Sequence, residues 1–139
     1  MALLEARMSH DHPLNQKGFN PFAQLIGFKF TKCEEGSCSA EIDVRPDLFH
    51  PGKVVHGGVA FALADSTMAT GLITTLGPGQ TASTIELKVS YLAAVREGTM
   101  KCNSWIVRRG RRVAFMESKV YEGERLVATA TGTFAIIDV

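Results

Sequence analysis

The chain has 139 residues and a formal net charge of +1, because 15 basic residues nearly balance 14 acidic ones. A chain of this length forms one ordinary domain, and its 45% hydrophobic residues suffice for a core. The balanced charge argues against a nucleic-acid partner, since contacts to phosphates need an excess of Lys and Arg.

The N-terminal segment lacks the apolar run of a secretory signal, and no stretch offers the ~20 uncharged apolar residues of a membrane span. We therefore expect a soluble cytoplasmic protein with no membrane partner. Residues 1–19 are predicted to be a flexible polar segment ahead of a single domain at 20–139. His10 and His12, within that segment, are expected to be solvated rather than bound to a metal.

The three cysteines, Cys33, Cys38 and Cys102, are odd in number and show no CxxC spacing. This pattern predicts neither a disulfide framework nor a zinc site. We expect free thiols, buried or half-buried, and no bound metal.

Short elements precede a long helix. Asn20 followed by Pro21 is typical of an N-cap and a first helical residue. In chain order we expect a helix from Pro21 to about Ile26, strands at 28–32 and 39–44 joined by a turn at 34–36, and a loop at 45–54.

The central helix is predicted to run from about Gly57 to Leu76, where Gly77, Pro78 and Gly79 stop it. Its residues are apolar or small on nearly every side. That pattern is typical of a helix buried on most sides rather than of an amphipathic surface helix.

Four strands are predicted to follow. Ile85, Leu87, Val89 and Tyr91 alternate with polar residues, as in a half-buried strand. Three further runs lie at 100–107, 113–121 and 126–137, and their short links indicate antiparallel neighbours. The predicted fold class is α+β, with five to six antiparallel strands curled around one long central helix, and a partner subunit supplying any missing cover. Tyr91, Trp105 and Phe115 are expected to be core or interface residues.

Asp65 is the only charged residue between Lys53 and Glu86. A carboxylate in an apolar helix costs several kcal/mol unless it is paired or neutralised. We favour a functional carboxylate with a tuned pKa in a dry site. The alternative is an aspartate at a point where the helix touches water.

His56, Gly57 and Gly58 stand where this helix begins. The first N–H groups of a helix lack internal partners and carry the positive end of its dipole. Glycine lets a ligand oxygen approach these groups closely, as in a carbonyl-polarising site. A plain turn into a helix is the alternative.

The spacing of His56 and Asp65 constrains any shared chemistry. On one helix they are ~13 Å apart along the axis and on opposite sides. One chain cannot bring both to the same small reacting group. If both are catalytic, two helices must lie antiparallel about a twofold axis, so that a dimer is required.

The segment 55–58, Val-His-Gly-Gly, followed by 61–65, Phe-Ala-Leu-Ala-Asp, resembles the helix opening of hotdog-fold acyl-CoA thioesterases of the phenylacetate-pathway (PaaI-like) family. The resemblance extends from about residue 20 to 137 and includes 108–114 and 126–130. It implies a hotdog fold, acyl-CoA as substrate, no cofactor, and subunits whose sheets join edge to edge in a dimer or a dimer of dimers. It also implies that the thioester lies at the dimer interface.

The resemblance further implies roles for residues. The N–H of Gly57, with Gly58 beside it, would polarise the thioester carbonyl, His56 would orient the site, and Asp65 of the other subunit would act as nucleophile or general base. A hydroxyl group on the following strand, Thr84 or its neighbour Ser83, would hold water. The family often has an asparagine where this chain has His50, which can also donate a hydrogen bond.

A basic turn carries Arg108, Arg109, Arg111 and Arg112. It is either a solvated turn or a clamp for the phosphates of coenzyme A, which suits guanidinium groups. Two other functions stay open: a non-hydrolytic acyl-CoA-binding hotdog protein, and a hotdog enoyl-thioester hydratase or dehydratase. The dehydratases of this fold carry a glutamate on the helix, and this helix has none.

Overall fold

The computed structural model describes residues 13–139, in which one antiparallel sheet curls around one long helix. The helices are α1 (Pro21–Ile26) and α2 (Gly57–Ile73). The strands are β1 (Lys29–Glu34), β2 (Ser37–Asp43), β3 (Gln80–Tyr91), β4 (Thr99–Arg109), β5 (Val113–Glu122) and β6 (Arg125–Asp138). Their order across the sheet is β1-β2-β4-β5-β6-β3, and α2 contacts all six. The predicted hotdog architecture is confirmed.

The hairpin between β1 and β2 turns at Glu35 and Gly36. Both have positive φ, 51° and 82°, which a tight two-residue turn between twisted strands requires. This turn places Cys33 directly opposite Cys38, with their Cα atoms 4.0 Å apart, and the structure joins them by a disulfide. The expectation of free thiols is therefore wrong for this pair, because it considered cysteine spacing without strand register.

Cys102 remains a free thiol, and it is buried on β4. Burial raises its pKa, since the charged thiolate would lose its hydration there. The expectation of a buried free thiol is confirmed for this cysteine.

Helix α2 ends at Ile73, one turn earlier than predicted. The hydroxyl groups of Thr74 and Thr75 donate to the carbonyl oxygens of Gly71 and Leu72, at 2.6 and 2.8 Å. These side chains satisfy carbonyls that a further helical turn would otherwise use. The helix was predicted to reach Leu76 because that residue is apolar, but the two threonines end it before that position.

Helix α2 is buried along one stripe rather than on most sides. The buried residues recur every three or four positions, and they are Val59, Ala60, Leu63, Ala64, Thr67, Met68, Gly71 and Leu72. Phe61 and Ile73 on the opposite side are 42% and 44% exposed. The sheet thus covers one face, and the other face is open in a single chain.

Strand β3 contains a bulge at Ile85. The register passes from Thr84 opposite Phe134 to Glu86 opposite Thr133, which leaves Ile85 unpaired and 57% exposed. The expected alternation therefore holds at Leu87 and Val89 but not at Ile85, nor at Tyr91, which is 56% exposed. A bulge changes which residues share a face, and here it puts Thr84 on the side of the sheet that faces α2.

The N-terminal part of the described chain packs against the sheet. Leu14 is buried, and the amide group of Asn15 both donates to the carbonyl of Phe30 and accepts from its N–H, at 2.8 and 2.7 Å. Leu14 and Asn15, within the segment predicted to be flexible, therefore contact the sheet, while His10 and His12 lie outside the described residues. Within residues 13–139, no helix is long and apolar enough to cross a membrane.

Candidate active site

His56 is the N-cap of α2. Its backbone N–H donates to the carbonyl of Leu48 at 2.7 Å, which anchors the start of the helix to the preceding loop. Its ring Nδ1 accepts the N–H of Gly58 at 2.8 Å. In the neutral ring the proton consequently lies on Nε2, which is left to donate to another group.

The first turn of α2 offers one backbone donor. The N–H of Gly58 is taken by His56, and the N–H of Val59 donates to the carbonyl of His56 at 3.0 Å. Within residues 13–139, no group accepts a hydrogen bond from the N–H of Gly57. The position therefore has a donor at the positive end of the helix, ready for a ligand oxygen. The N–H of Gly58, by contrast, is used in the capping bond to His56 and is not free for a ligand.

Tyr91, at the end of β3, contacts the residue that carries this donor. Its hydroxyl donates to the carbonyl oxygen of Gly57 at 2.6 Å. Partial burial raises the pKa of Tyr91, so the hydroxyl keeps the proton that it donates. The sequence pattern marked Tyr91 as a core or interface residue and missed this contact, because only the fold brings β3 to the start of α2.

A cavity of about 420 Å³ opens beside the helix start. Its polar groups come from His50, His56, Gly57 and Tyr91, and its lining contains no Lys, Arg, Asp or Glu. The apolar part of the wall includes Ala60, Leu92, Val95, Met100, Val127 and Ala128. An apolar lining with a few polar groups at one side is typical of a small-molecule site.

His50 lies at the mouth of this cavity. Its Nδ1 accepts the N–H of Gly52 at 2.8 Å, so its neutral ring also carries the proton on Nε2. The ring lies edge-on to that of His56, with centroids 6.4 Å apart. The structure therefore brings His50 and His56 to the same cavity as Gly57.

Asp65 forms a second cluster, halfway along α2. The hydroxyl of Thr84 donates to its Oδ1 at 2.7 Å, and the carboxylate is half-buried. Ser83 pairs with Ala135 on the opposite face of β3 and makes no contact of this kind. Of the two hydroxyl residues that the resemblance implied, the structure places Thr84 beside Asp65, and the bulge at Ile85 makes this possible.

The two clusters do not meet within one chain. Asp65 and Thr84 are not part of the cavity wall, whereas His56 and Gly57 are. Both clusters nevertheless lie along β3, one at its end and one near its middle. β3 is an edge strand, with β6 on one side and no strand of residues 13–139 on the other.

The basic turn lies at the opposite end of α2 from Gly57. The side chain of Arg109 donates from Nε to the hydroxyl of Thr75 at 3.0 Å, just beyond the end of the helix. Arg108, Arg111 and Arg112 are exposed. A single chain therefore separates these arginines from the cavity by the length of the helix, ~25 Å.

A buried hydroxyl cluster was not foreseen. Thr67, two residues beyond Asp65, contacts the Oγ of Ser104 at 2.5 Å, which in turn contacts the Oγ of Ser118 at 2.5 Å. Thr67 also donates to the carbonyl of Leu63 at 2.9 Å. These bonds tie α2 to β4 and β5 and fix its rotation, and therefore the direction of Asp65. In the sequence, the sign of this cluster was the presence of Ser104 and Ser118 in the series of alternate strand positions whose other residues are apolar and face the core.

Residues 13–139 contain no group of three or more His, Cys, Asp or Glu side chains that could hold a metal ion. The groups gathered at the two clusters are a backbone N–H donor, two imidazoles, a carboxylate and a hydroxyl. Such groups can polarise a carbonyl and activate water or attack directly.

The sequence and fold of this chain are similar to those of several known proteins. The conserved protein PA5202 from Pseudomonas aeruginosa is 30% identical, with a TM-score of 0.82 over 85% of this chain and 94% of that one. A mutant of the phenylacetic acid degradation protein PaaI from Thermus thermophilus is 29% identical, with a TM-score of 0.78 over 84% and 98%. The 1,4-dihydroxy-2-naphthoyl-CoA hydrolase of Listeria monocytogenes is 23% identical over 81% and 93%. The family model of the thioesterase superfamily matches residues 52–129, more than half of the chain, and the chain therefore belongs to the thioesterase superfamily.

Proposed function

We propose that this protein hydrolyses acyl-CoA thioesters to a free acid and coenzyme A, at sites that two subunits share. Membership in the thioesterase superfamily supports thioester hydrolysis in general. The observation that carries the proposal is the division of the site. Gly57 lines the cavity, while the carboxylate of Asp65, farther along α2, is bonded to Thr84 of the edge strand β3 and lies outside the cavity wall.

A twofold axis at the edge of β3 would unite the clusters. Thr84 and Tyr91 are roughly 20 Å apart along the strand at ~3.3 Å per residue. If two β3 strands pair antiparallel about an axis between Leu87 and Lys88, then Thr84 of one subunit lies opposite Tyr91 of the other. Asp65 of one subunit thereby approaches Gly57 of its partner, and two equivalent sites form.

The proposed chemistry begins with the thioester carbonyl. Its oxygen accepts a hydrogen bond from the N–H of Gly57, which stabilises the negative charge of the tetrahedral intermediate. His56 and His50 both line the same cavity, and an Nε2–H of either ring can orient the thioester by donating to it. The cavity holds the acyl group, because its apolar lining suits hydrocarbon and offers no cation for phosphates.

Asp65 of the partner supplies the reactive group. Thr84 occupies its Oδ1, which leaves Oδ2 for the reaction. As general base, Asp65 takes a proton from water, the hydroxide adds to the carbonyl carbon, the C–S bond breaks, and the thiolate of coenzyme A takes up the proton. As nucleophile, Asp65 displaces the thiolate to form an anhydride that water then hydrolyses.

The arginines extend the proposed site toward coenzyme A. Arg109 lies near Thr75, ~15 Å along the axis of α2 from Asp65. In the proposed dimer, the subunit that supplies Asp65 also supplies Arg108, Arg109 and Arg111. These side chains would bind the phosphate groups of coenzyme A. A second pair of subunits would complete a dimer of dimers.

A panel of aryl, short-chain and long-chain acyl-CoA thioesters tests the function, with thiol release followed over time. We expect turnover on at least one uncharged acyl group. Tight acyl-CoA binding without any turnover would instead show a non-hydrolytic binding protein. Addition of water to an enoyl thioester, with no thiol released, would show a hydratase.

A further inference from the structure

We infer that Tyr91 is a positioning residue for the backbone donor of Gly57, and that it thereby sets the catalytic rate more than substrate affinity. This inference rests on the proposed function for its kinetic part. Its structural part, that Tyr91 holds the first turn of α2 in place, stands on the contacts between the two residues.

Two contacts join Tyr91 to Gly57. The phenolic hydroxyl donates to the Gly57 carbonyl at 2.6 Å, within the usual range for such a bond. The ring packs against the glycine itself: a Cβ added to Gly57 would lie 3.0 Å from Cζ and Oη of Tyr91 and 3.1 Å from Cε1. The tyrosine is therefore in contact with the residue that carries the unpartnered N–H.

Gly57 needs such a restraint. Glycine has more backbone freedom than any other residue, and the first turn of a helix is where helices fray. By the i to i+4 pattern of an α-helix, the carbonyl of Gly57 also accepts the N–H of Phe61. The tyrosine hydroxyl uses the second lone pair of that oxygen, and the ring contacts the Cα side of the same residue. The peptide group after Gly57 is thereby held in place, which limits the rotations about the N–Cα and Cα–C bonds of Gly57 that would turn its N–H.

The place of Tyr91 in the sheet makes it suited to this role. It lies at the end of β3, which α2 packs against, and it lines the cavity beside His56 and Gly57.

The distinguishing variant is Tyr91→Phe, which keeps the ring and removes only the hydroxyl. We expect kcat to fall about tenfold, with KM changed by less than about twofold, because a misdirected donor weakens transition-state binding more than ground-state binding. The matched control is Tyr121→Phe on β5, which deletes the same atom from the other tyrosine and does not line the cavity.

A double-mutant cycle tests the coupling. Gly57→Ala brings a methyl group against the ring, so it should displace Tyr91 and cost activity by itself. In that background, Tyr91→Phe should cost less than about twofold more, since the contact is already lost. Losses that simply multiply would contradict the proposed coupling.

Amide hydrogen exchange measures the same restraint without substrate. The N–H of Phe61 should exchange several-fold faster in Tyr91→Phe than in the parent, and should be unchanged in Tyr121→Phe. Unchanged exchange would overturn the inference whatever the kinetics. A parent protein that hydrolyses no thioester would overturn the proposed function instead, and the exchange result would still decide whether Tyr91 positions Gly57.

Discussion

The two clusters on α2 differ in what a single chain provides for them. The cluster at the helix start has a cavity, an N–H on Gly57 that has no partner within residues 13–139, and a tyrosine hydroxyl that donates to the carbonyl of the same glycine. The cluster around Asp65 has a hydrogen bond from Thr84, yet it has no place in the wall of that cavity. One cluster resembles a binding site without a reactive group, and the other resembles a reactive group without a binding site.

This difference shows how one helix can serve two sites. The buried stripe of α2 fixes both clusters to the same rigid element, while the open stripe leaves Asp65 available to a second copy. The bulge in β3 contributes as well, since it turns Thr84 toward the helix. In the proposed dimer, each subunit supplies half of two sites, and the symmetric pair completes both.

The largest effect is expected from Asp65→Asn. The amide oxygen can still accept from Thr84, so the fold should persist, but neither proton removal nor nucleophilic attack remains. We expect kcat to fall by about 10³-fold or more. Asp47→Asn is the control, because Asp47 is an exposed carboxylate that does not line the cavity and pairs with Arg45. Equal turnover by Asp65→Asn and the parent would remove Asp65 from the mechanism.

Thr84→Ala should have the next largest effect. It removes the 2.7 Å bond that holds the carboxylate of Asp65, and we expect kcat to fall about tenfold. Ser83→Ala is the matched control, since it deletes a hydroxyl from the adjacent residue on the other face and should change kcat by less than about twofold. The reverse order of effects would mean that the strand register differs from the one described.

His50 can be tested by replacing it with the residue that the family often has. An asparagine can accept the N–H of Gly52 and still donate toward the cavity, so His50→Asn should retain activity within about threefold. His50→Ala loses both functions, and we expect about a tenfold loss in kcat/KM. If alanine were tolerated as well as asparagine, His50 would only line the cavity.

The smallest effect is expected at the basic turn. Replacing Arg108, Arg109 and Arg111 together by glutamate should raise KM for acyl-CoA about tenfold and leave kcat nearly unchanged. The effect should shrink as ionic strength increases, because salt screens exposed charges. Lys119→Glu, elsewhere on β5, is the control for a general change in charge. An unchanged KM would show that the arginines do not bind coenzyme A and that the turn is simply solvated.

Local patterns in the sequence sufficed for much of the fold. The N-cap at Asn20, the turn at Gly36 and the alternation along β3 each depend on residues close in the chain, and they predicted elements near their observed bounds. The pairing of Cys33 with Cys38 and the bulge at Ile85 depend on strand register, which sequence spacing does not reveal.

The residues of the candidate site could be selected from the sequence to a similar degree. His56, Gly57 and Asp65 were recognisable because a charged residue and a glycine pair are unusual in an apolar helix. The role of Tyr91 was not, since a strand residue far along the chain reaches Gly57 only through the fold. The choice between Thr84 and Ser83 likewise required the bulge.

The central claim is that one site needs two subunits, and complementation tests it most directly. Asp65→Asn loses the reactive carboxylate but keeps the helix start intact. His56→Ala loses the orienting ring at the helix start but keeps Asp65 intact. Each homodimer therefore lacks one half of every site and should be nearly inactive. When the two variants are mixed equally and their subunits exchange, half of the dimers are mixed and each holds one intact site. We predict about a quarter of the parent activity in the mixture. Activity no greater than the average of the two separate variants, after demonstrated subunit exchange, would contradict a shared site.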